Sequence, residues 1–196
     1  MVNNYLKICG KIISVRSYKG RTYFTVFTKN AYKEDYFTVI AEGDLKPIVS
    51  NKETLSISGY ITGNKPGVST SLIHQLHATE IKPVESQLEN VCGFKGCIPE
   101  EMRAKVLLNG TIKDIEDFKD KKGVTYRHYT IWIPAEKGSP TTLKCSWTVF
   151  KGMPKFDVGD KVIFLCDLLS NKKEAKGKTK IFNNLKVVDA AMKSEE

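Results

Sequence analysis

Apolar and polar residues alternate at period two over short stretches of the chain, without the three-to-four-residue spacing of a long amphipathic helix. Tyr5–Val15 opens with Leu6 and Ile8 on one face and Lys7, Cys9 and Lys11 on the other. Gly10 inside this run predicts a bulge or sharp bend. Arg16–Arg21 reads as a turn. In Thr22–Lys29, Phe24 and Val26 share one face, and Tyr23, Thr25 and Phe27 the other. Asp35–Ala41 alternates Phe37, Val39 and Ala41 with Tyr36, Thr38 and Ile40. Pro47 limits Leu45–Asn51 to about one helical turn. Thr54–Thr62, interrupted by Gly59, and Ser71–Ile81 are the fourth and fifth strands, parted by the turn signal Gly63–Gly67. Five short strands in succession with no long helix predict an all-β barrel or sandwich.

The pattern then recurs. Gly110-Thr111-Ile112 matches Gly10-Lys11-Ile12 at an offset of 100, and Tyr126–Ile133 matches Arg21–Thr28 at an offset of 105. Leu143, Cys145 and Trp147 match Phe37, Val39 and Ala41. Lys161–Leu165 matches Thr54–Ser58, and Ile181–Asp189 matches the fifth strand. Tyr129, Ile131 and Trp147 are expected in the core, with His128 and Trp132 on the second face. Asp117–Gly123 is a longer version of the first turn, and Asn171–Lys180 stands as the loop between the last two strands. A duplication of about 100 residues is the economical reading: a unit at 1–84, a linker at 85–105, a second unit at 106–191 and a tail at 192–196.

The linker holds Cys92 and Cys97, a Cys-x4-Cys pair. A structural zinc site needs four ligands, commonly two close pairs, and no second pair lies near in sequence. A packed linker, with a short helix starting at Ile98-Pro99 and running to Ala104, is the expectation. His74 and His77 lie three apart on a strand and so on opposite faces, which excludes a same-face metal pair. No metal and no cofactor is expected.

Composition narrows the class. The 196 residues carry a formal net charge of +9, and the excess is shared: 11 basic against 7 acidic side chains in residues 1–85, and 20 against 15 in residues 86–196. An excess on both units suggests an anionic partner. There is no apolar run of about 18 residues, so no membrane-spanning helix is expected. Met1–Tyr5 has no signal-peptide character. Five scattered cysteines, an odd number, argue for a reducing cytoplasm rather than a disulfide framework. There is no nucleophile elbow, phosphate-binding glycine loop or His-Glu zinc motif, and Asp114-Ile115-Glu116-Asp117 reads as solvated loop charge. A non-enzymatic protein is expected.

Five strands, a bend glycine in the first, little helix between the third and fourth, and long loops after the first and fourth describe an OB-fold. The fold expected is therefore two tandem five-stranded OB-fold barrels joined by a short linker. The order Leu6–Ile12, then Tyr23–Val26, then Glu34–Ile40, with Ser58-Gly59-Tyr60-Ile61 later, resembles the single-stranded DNA-binding proteins of bacterial and phage type. In that family the third strand opens with an acidic residue and a base-stacking aromatic, where this chain has Glu34, Asp35 and Tyr36. The resemblance spans most of residues 4–83 and, more weakly, 106–190. The bacterial members usually end in an acidic, apolar-tipped tail that recruits partners; Ser194-Glu195-Glu196 has no such tip, and two barrels in one chain also depart from the one-barrel form. The missing tip points to a phage- or plasmid-encoded member.

Single-strand binding without sequence readout needs rings for bases to stack on and cations along the backbone path. The candidate rings are Tyr18, Tyr23, Phe27 and Tyr36 in the first unit and Phe118, His128 and Trp132 in the second; Trp132 is also the ring best placed to pack between units. The candidate cations are Lys7, Lys11, Arg16 and Arg21, then Lys113, Arg127 and Lys144, and Lys172, Lys173 and Lys176 in the lysine-rich run. The expected function is to coat single-stranded DNA in replication or recombination. An RNA- or tRNA-binding module and a protein that docks replication or recombination partners remain alternatives, and self-association stays open.

Overall fold

The computed structural model describes residues 3–29, 33–50, 53–64, 72–84, 104–135, 139–175 and 178–193. All regular elements among them are strands: β1 (Asn4–Tyr18), β2 (Arg21–Lys29), β3 (Glu34–Ala41), β4 (Leu55–Asn64), β5 (Ile73–Pro83), β6 (Ala104–Lys119), β7 (Thr125–Ile133), β8 (Thr141–Thr148), β9 (Lys161–Ala175) and β10 (Lys178–Met192).

The first five strands close on themselves. β1 pairs with β2, β2 with β3, β3 in parallel with β5, β5 with β4, and β4 returns to β1. This is a five-stranded barrel of OB type. Strands β6 to β10 repeat the cycle pairing for pairing, with β8 and β10 as the parallel couple. The repeat extends to its irregularities. Register slips after Ile12 in β1 and after Ile112 in β6, and again between Ser58 and Gly59 on β4 and between Val187 and Asp189 on β10. Such bulges bend a strand so that a small barrel can close. Gly10 and Gly110 precede the first pair, each where the sheet folds onto itself: a Cβ would run into the carbonyl oxygen of Phe27 or of Trp132.

The alternation sets the core. Leu6, Ile8, Phe24, Val26, Phe37 and Val39 are fully buried in the first unit. In the second, Tyr129 and Ile131 take the places of Phe24 and Val26, and Trp147 stacks on Phe156 with centroids 6.4 Å apart.

Four expectations need correction. Arg16–Tyr18 belong to β1, not to a turn; the β1–β2 turn is only Lys19-Gly20, both at positive φ (50° and 73°), the two-residue form whose twist lets pairing continue to Tyr18 and Arg21. In the second unit Asp117–Lys119 are likewise strand, and the turn is confined to Asp120–Val124, closed by the Asp120 carboxylate accepting from the amides of Lys122 and Val124. Asn171–Ala175 and Lys178–Lys180 are strand, not loop: β9 and β10 stay paired from Phe182–Asn171 out to Lys178–Ala175. Leu45–Ser50 stays within the limit set by Pro47 and makes no helical turn. Ala104, expected at a helix end, opens β6, while Cys92, Cys97 and Ile98 lie outside the described residues.

The units meet about a pseudo-twofold axis. β1 and β6 pair antiparallel with Leu6 opposite Val106, and these are equivalent positions at the offset of 100. β5 and β10 meet at a second self-equivalent place. Val39 and Cys145 correspond and pair with Leu76 and Leu185, so His74 corresponds to Asn183. His74 Nδ1 donates to the Asn183 carbonyl at 3.0 Å, and Asn183 Nδ2 donates to the His74 carbonyl at 3.0 Å. Off the axis the contacts come in matched pairs. The Ser170 amide donates to Asp35 Oδ1 at 2.7 Å, and the equivalent Gly63 amide donates to Thr141 Oγ1 at 2.8 Å. This is the geometry of an isologous dimer interface, held within one chain.

Candidate nucleic-acid interface

The outer face of the first unit carries a row of side chains that registers across five strands. Arg16 on β1 pairs with Tyr23 on β2, Tyr23 with Ile40 on β3, Ile40 with His77 on β5, and His77 with Tyr60 on β4. Paired residues share a sheet face, so these five side chains form one strip. The Arg16 guanidinium lies 5.7 Å from the Tyr23 ring centroid. His77 and Tyr60 stack at 4.7 Å with an interplanar angle of 1°. His77 Nδ1 donates to Glu42 Oε1 at 2.7 Å and its Nε2 shares a hydrogen bond with the Thr62 hydroxyl at 2.9 Å, which fixes the ring that Tyr60 lies against. Burial, then Glu42, raises the Tyr60 phenol above its usual range, so it stays neutral and can stack or donate.

A second row runs beside the first. Phe27 pairs with Tyr36, their centroids 5.3 Å apart and tilted by 51°. Tyr23, Phe27 and Tyr36 are half-buried, the state of a ring seated on the sheet with one side open. Lys172 of β9 crosses from the second unit and places its ammonium 3.9 Å from the Tyr36 centroid.

The equivalent strip in the second unit is polar. His128 pairs with Glu116 and Ser146, Ser146 with Lys186, and Lys186 with Asp167. Trp132 stands where Phe27 does, but its partner across β8 is Thr142 instead of a ring. Phe118 and His128 do stack, at 6.1 Å and 25°. Burial, then Lys144, depresses the His128 pKa, so the ring is neutral at physiological pH.

Among the predicted site residues, Tyr23, Phe27, Tyr36, Arg16 and Lys172 come together on the first unit, with the half-buried Lys11 and the exposed Arg21 at the edges of β1 and β2. Tyr18 is 60% exposed at the end of the β1–β2 hairpin, outside the strip, with Lys19 at 5.4 Å from its ring. Lys113 occupies the β6 bulge, 5.5 Å from the Trp132 centroid. Trp132 is half-buried against its own unit's lysine.

Three predicted cations are committed elsewhere. Lys7 is 6% exposed, in a run from Leu6 to Gly10 that is buried on both faces of β1, so it leaves the cationic path. Arg127 makes two 2.7 Å hydrogen bonds to the Asp117 carboxylate, which raises its pKa further and lowers that of Asp117. Lys144 donates to Glu116 at 2.6 Å and depresses that carboxyl. The side chain of Lys173 and the whole of Lys176 lie outside the described residues.

Sequence reasoning missed Tyr60 and His77. The signal was there: Tyr60 falls between the inward positions Gly59 and Ile61, and His77 between Leu76 and Ala78. Asp35, read as part of a base-stacking opening, is instead buried, accepting from the Ser170 amide and hydroxyl and pairing with Lys33 at 2.9 Å. Among the described residues no group of three or more His, Cys, Asp or Glu is placed to hold a metal ion.

No family model matches the chain, and no curated protein matches it in sequence. Among solved structures it is similar to the wild-type single-stranded DNA binding protein from Thermus aquaticus, with 12% identity and a TM-score of 0.63 over 98% of this chain and 94% of that one. It is also similar to a deletion mutant of that Thermus aquaticus protein, with 13% identity and a TM-score of 0.64 over 98% of this chain and 95% of that one. At this level of identity the likeness establishes a shared fold, and it runs nearly the full length of both chains.

Proposed function

We propose that the chain is a non-enzymatic single-stranded DNA-binding protein. It is built as two tandem OB-fold barrels, at 1–84 and 106–191, and coats exposed strands in the cytoplasm during replication or recombination. The observation that carries this reading is the aromatic strip on the first unit. Tyr23, Phe27, Tyr36 and the stacked Tyr60–His77 pair offer flat surfaces on one sheet face, with Arg16, Arg21, Lys11 and Lys172 at its margins. Rings with cations alongside bind bases through their π-faces and the backbone through its charge, without reading sequence. The shared fold with a protein that binds single-stranded DNA supports the same reading. The neutralised, polar strip of the second unit makes the first barrel the main stacking surface.

Fluorescence anisotropy with labelled oligo-dT tests this. Binding at low salt should weaken steeply as salt rises, by about 0.7 in log–log slope for each phosphate neutralised. Tyr23→Ala and Phe27→Ala should each lose about 1–3 kcal/mol of affinity while keeping the wild-type melting curve. If oligo-dT does not bind at low salt, the reading fails. If folded RNA binds and oligo-dT does not, the protein is an RNA-binding module instead.

A further inference from the structure

We infer that Tyr36 and Lys172 form one composite subsite, in which Tyr36 takes a base and Lys172 takes the phosphate beside it, so that full affinity on the first barrel needs a side chain from the second half of the chain. The inference rests on the single-strand-binding reading above and assigns this pair its role within it.

The two residues are 136 positions apart in sequence and are brought together by backbone anchoring, not by a chance side-chain contact. The Tyr36 amide donates to Ser170 Oγ at 3.0 Å. The Ser170 amide and hydroxyl both donate to Asp35 Oδ1, at 2.7 and 2.8 Å. Lys33 Nζ ties the same place, donating to the Ser170 carbonyl at 2.7 Å and pairing with Asp35 at 2.9 Å. Ser170 is buried, so β9 is pinned to β3 at this point. Lys172 follows two residues later, on the same side of β9 as Ser170. Its stem is thereby aimed at the Tyr36 ring, and its ammonium sits 3.9 Å from the centroid.

The surroundings leave Lys172 free to move. It is exposed, and among the described residues it forms no ion pair, whereas Arg127 and Lys144 are held by carboxylates. Phe27 tilts against Tyr36 at 5.3 Å and sets the ring's orientation. At a hydrated surface a stacked base is the stronger partner for a ring than an ammonium. A base arriving on Tyr36 therefore displaces the cation, and the four-carbon stem carries it to the adjoining phosphate. The second unit has no copy of this arrangement, since Thr142 occupies the position of Tyr36.

The test is a double-mutant cycle in the full-length chain, read as oligo-dT affinity against salt. Lys172→Gln should weaken binding about 5- to 10-fold at low salt and reduce the salt slope by about 0.7. In a Tyr36→Ala background the same change should cost much less, because the phosphate is no longer brought to the lysine. Lys172→Arg should restore affinity and slope, and urea melts of each variant exclude a folding loss. Independent, additive losses would overturn the composite subsite, and so would a Lys172→Gln variant that binds more tightly. Failure of the wild type to bind oligo-dT would instead overturn the parent reading.

Discussion

Gly10 tests whether the barrel tolerates any atom where β1 passes the end of β2. Its missing Cβ is filled by the Phe27 carbonyl and the Val26 side chain, and at Gly110 the same space is taken by the Trp132 carbonyl and Ile131. The obstruction at each is backbone, which cannot rotate aside. Gly10→Ala should therefore destabilise the first unit by about 1–3 kcal/mol, read as a lowered urea midpoint at unchanged slope. An unchanged midpoint would mean that the strand crossing relaxes freely. The need for glycine here was legible, because a glycine inside an alternating run marks a bend or a close approach of two backbones. So was the phase of β2 and β7: Phe24, Val26, Tyr129 and Ile131 are all buried. Lys7 was not legible. Its local pattern is that of an outward lysine, yet it lies in a stretch of β1 that is buried from Leu6 to Gly10 and flanked on one edge by β6, a hundred residues away.

At the scale of the element, what decides a charged side chain's role is whether its own strand or the neighbouring one answers its charge. β6 carries Glu116 and Asp117 opposite Lys144 on β8 and Arg127 on β7, and both pairs close. The lysines and arginines of this sheet, counted from sequence as a phosphate path, are thus largely cancelled on their own surface. Removing the acids should uncover them. Glu116→Gln with Asp117→Asn is expected to tighten oligo-dT binding several-fold at low salt and steepen the salt dependence by up to about 0.7 per cation released. Stability should change little, because exposed ion pairs contribute little. Unchanged affinity and slope would show that nucleic acid does not reach this sheet. Turn lengths were misread for a related reason. Hairpin arms such as Asn171–Ala175 with Lys178–Phe182 are held by main-chain pairing and need no buried face, so their strand character leaves no apolar alternation to read.

For the molecule as a whole, the question is whether the two units unfold together, and His74 supplies a way to ask. Its ring is buried at the pseudo-twofold axis. Nδ1 donates to the Asn183 carbonyl, while Nε2 accepts from the Lys144 amide at 3.3 Å. With an acceptor nitrogen in use, only the neutral tautomer fits. Burial depresses the His74 pKa, and the Asn183 carbonyl offsets this only in part. The unfolded chain therefore binds the proton more readily than the folded one, and stability rises with pH through this window. It should be intact above the ordinary histidine value of about 6.5 and decline as pH falls from there toward the depressed folded value. His74→Gln keeps a neutral polar group but removes the titration. It should cost about 1–3 kcal/mol at pH 7.5 through impaired hydrogen bonds and show a smaller further loss between pH 7 and 5 than the wild type. Because the ring joins β5 to the second unit, the acid effect should lower one cooperative transition that both halves share, in keeping with the continuous β1–β6 pairing and the Asp35–Ser170 anchor. Urea melts followed by tryptophan fluorescence, which reports the second unit because Trp132 and Trp147 both lie there, and by circular dichroism for the whole chain should coincide at pH 7.5 and shift together at pH 5.5. Two separated transitions would mean that the seam does not couple the units, and an acid loss as large in His74→Gln as in the wild type would mean that His74 adds nothing to the loss expected from His128, whose pKa burial also depresses.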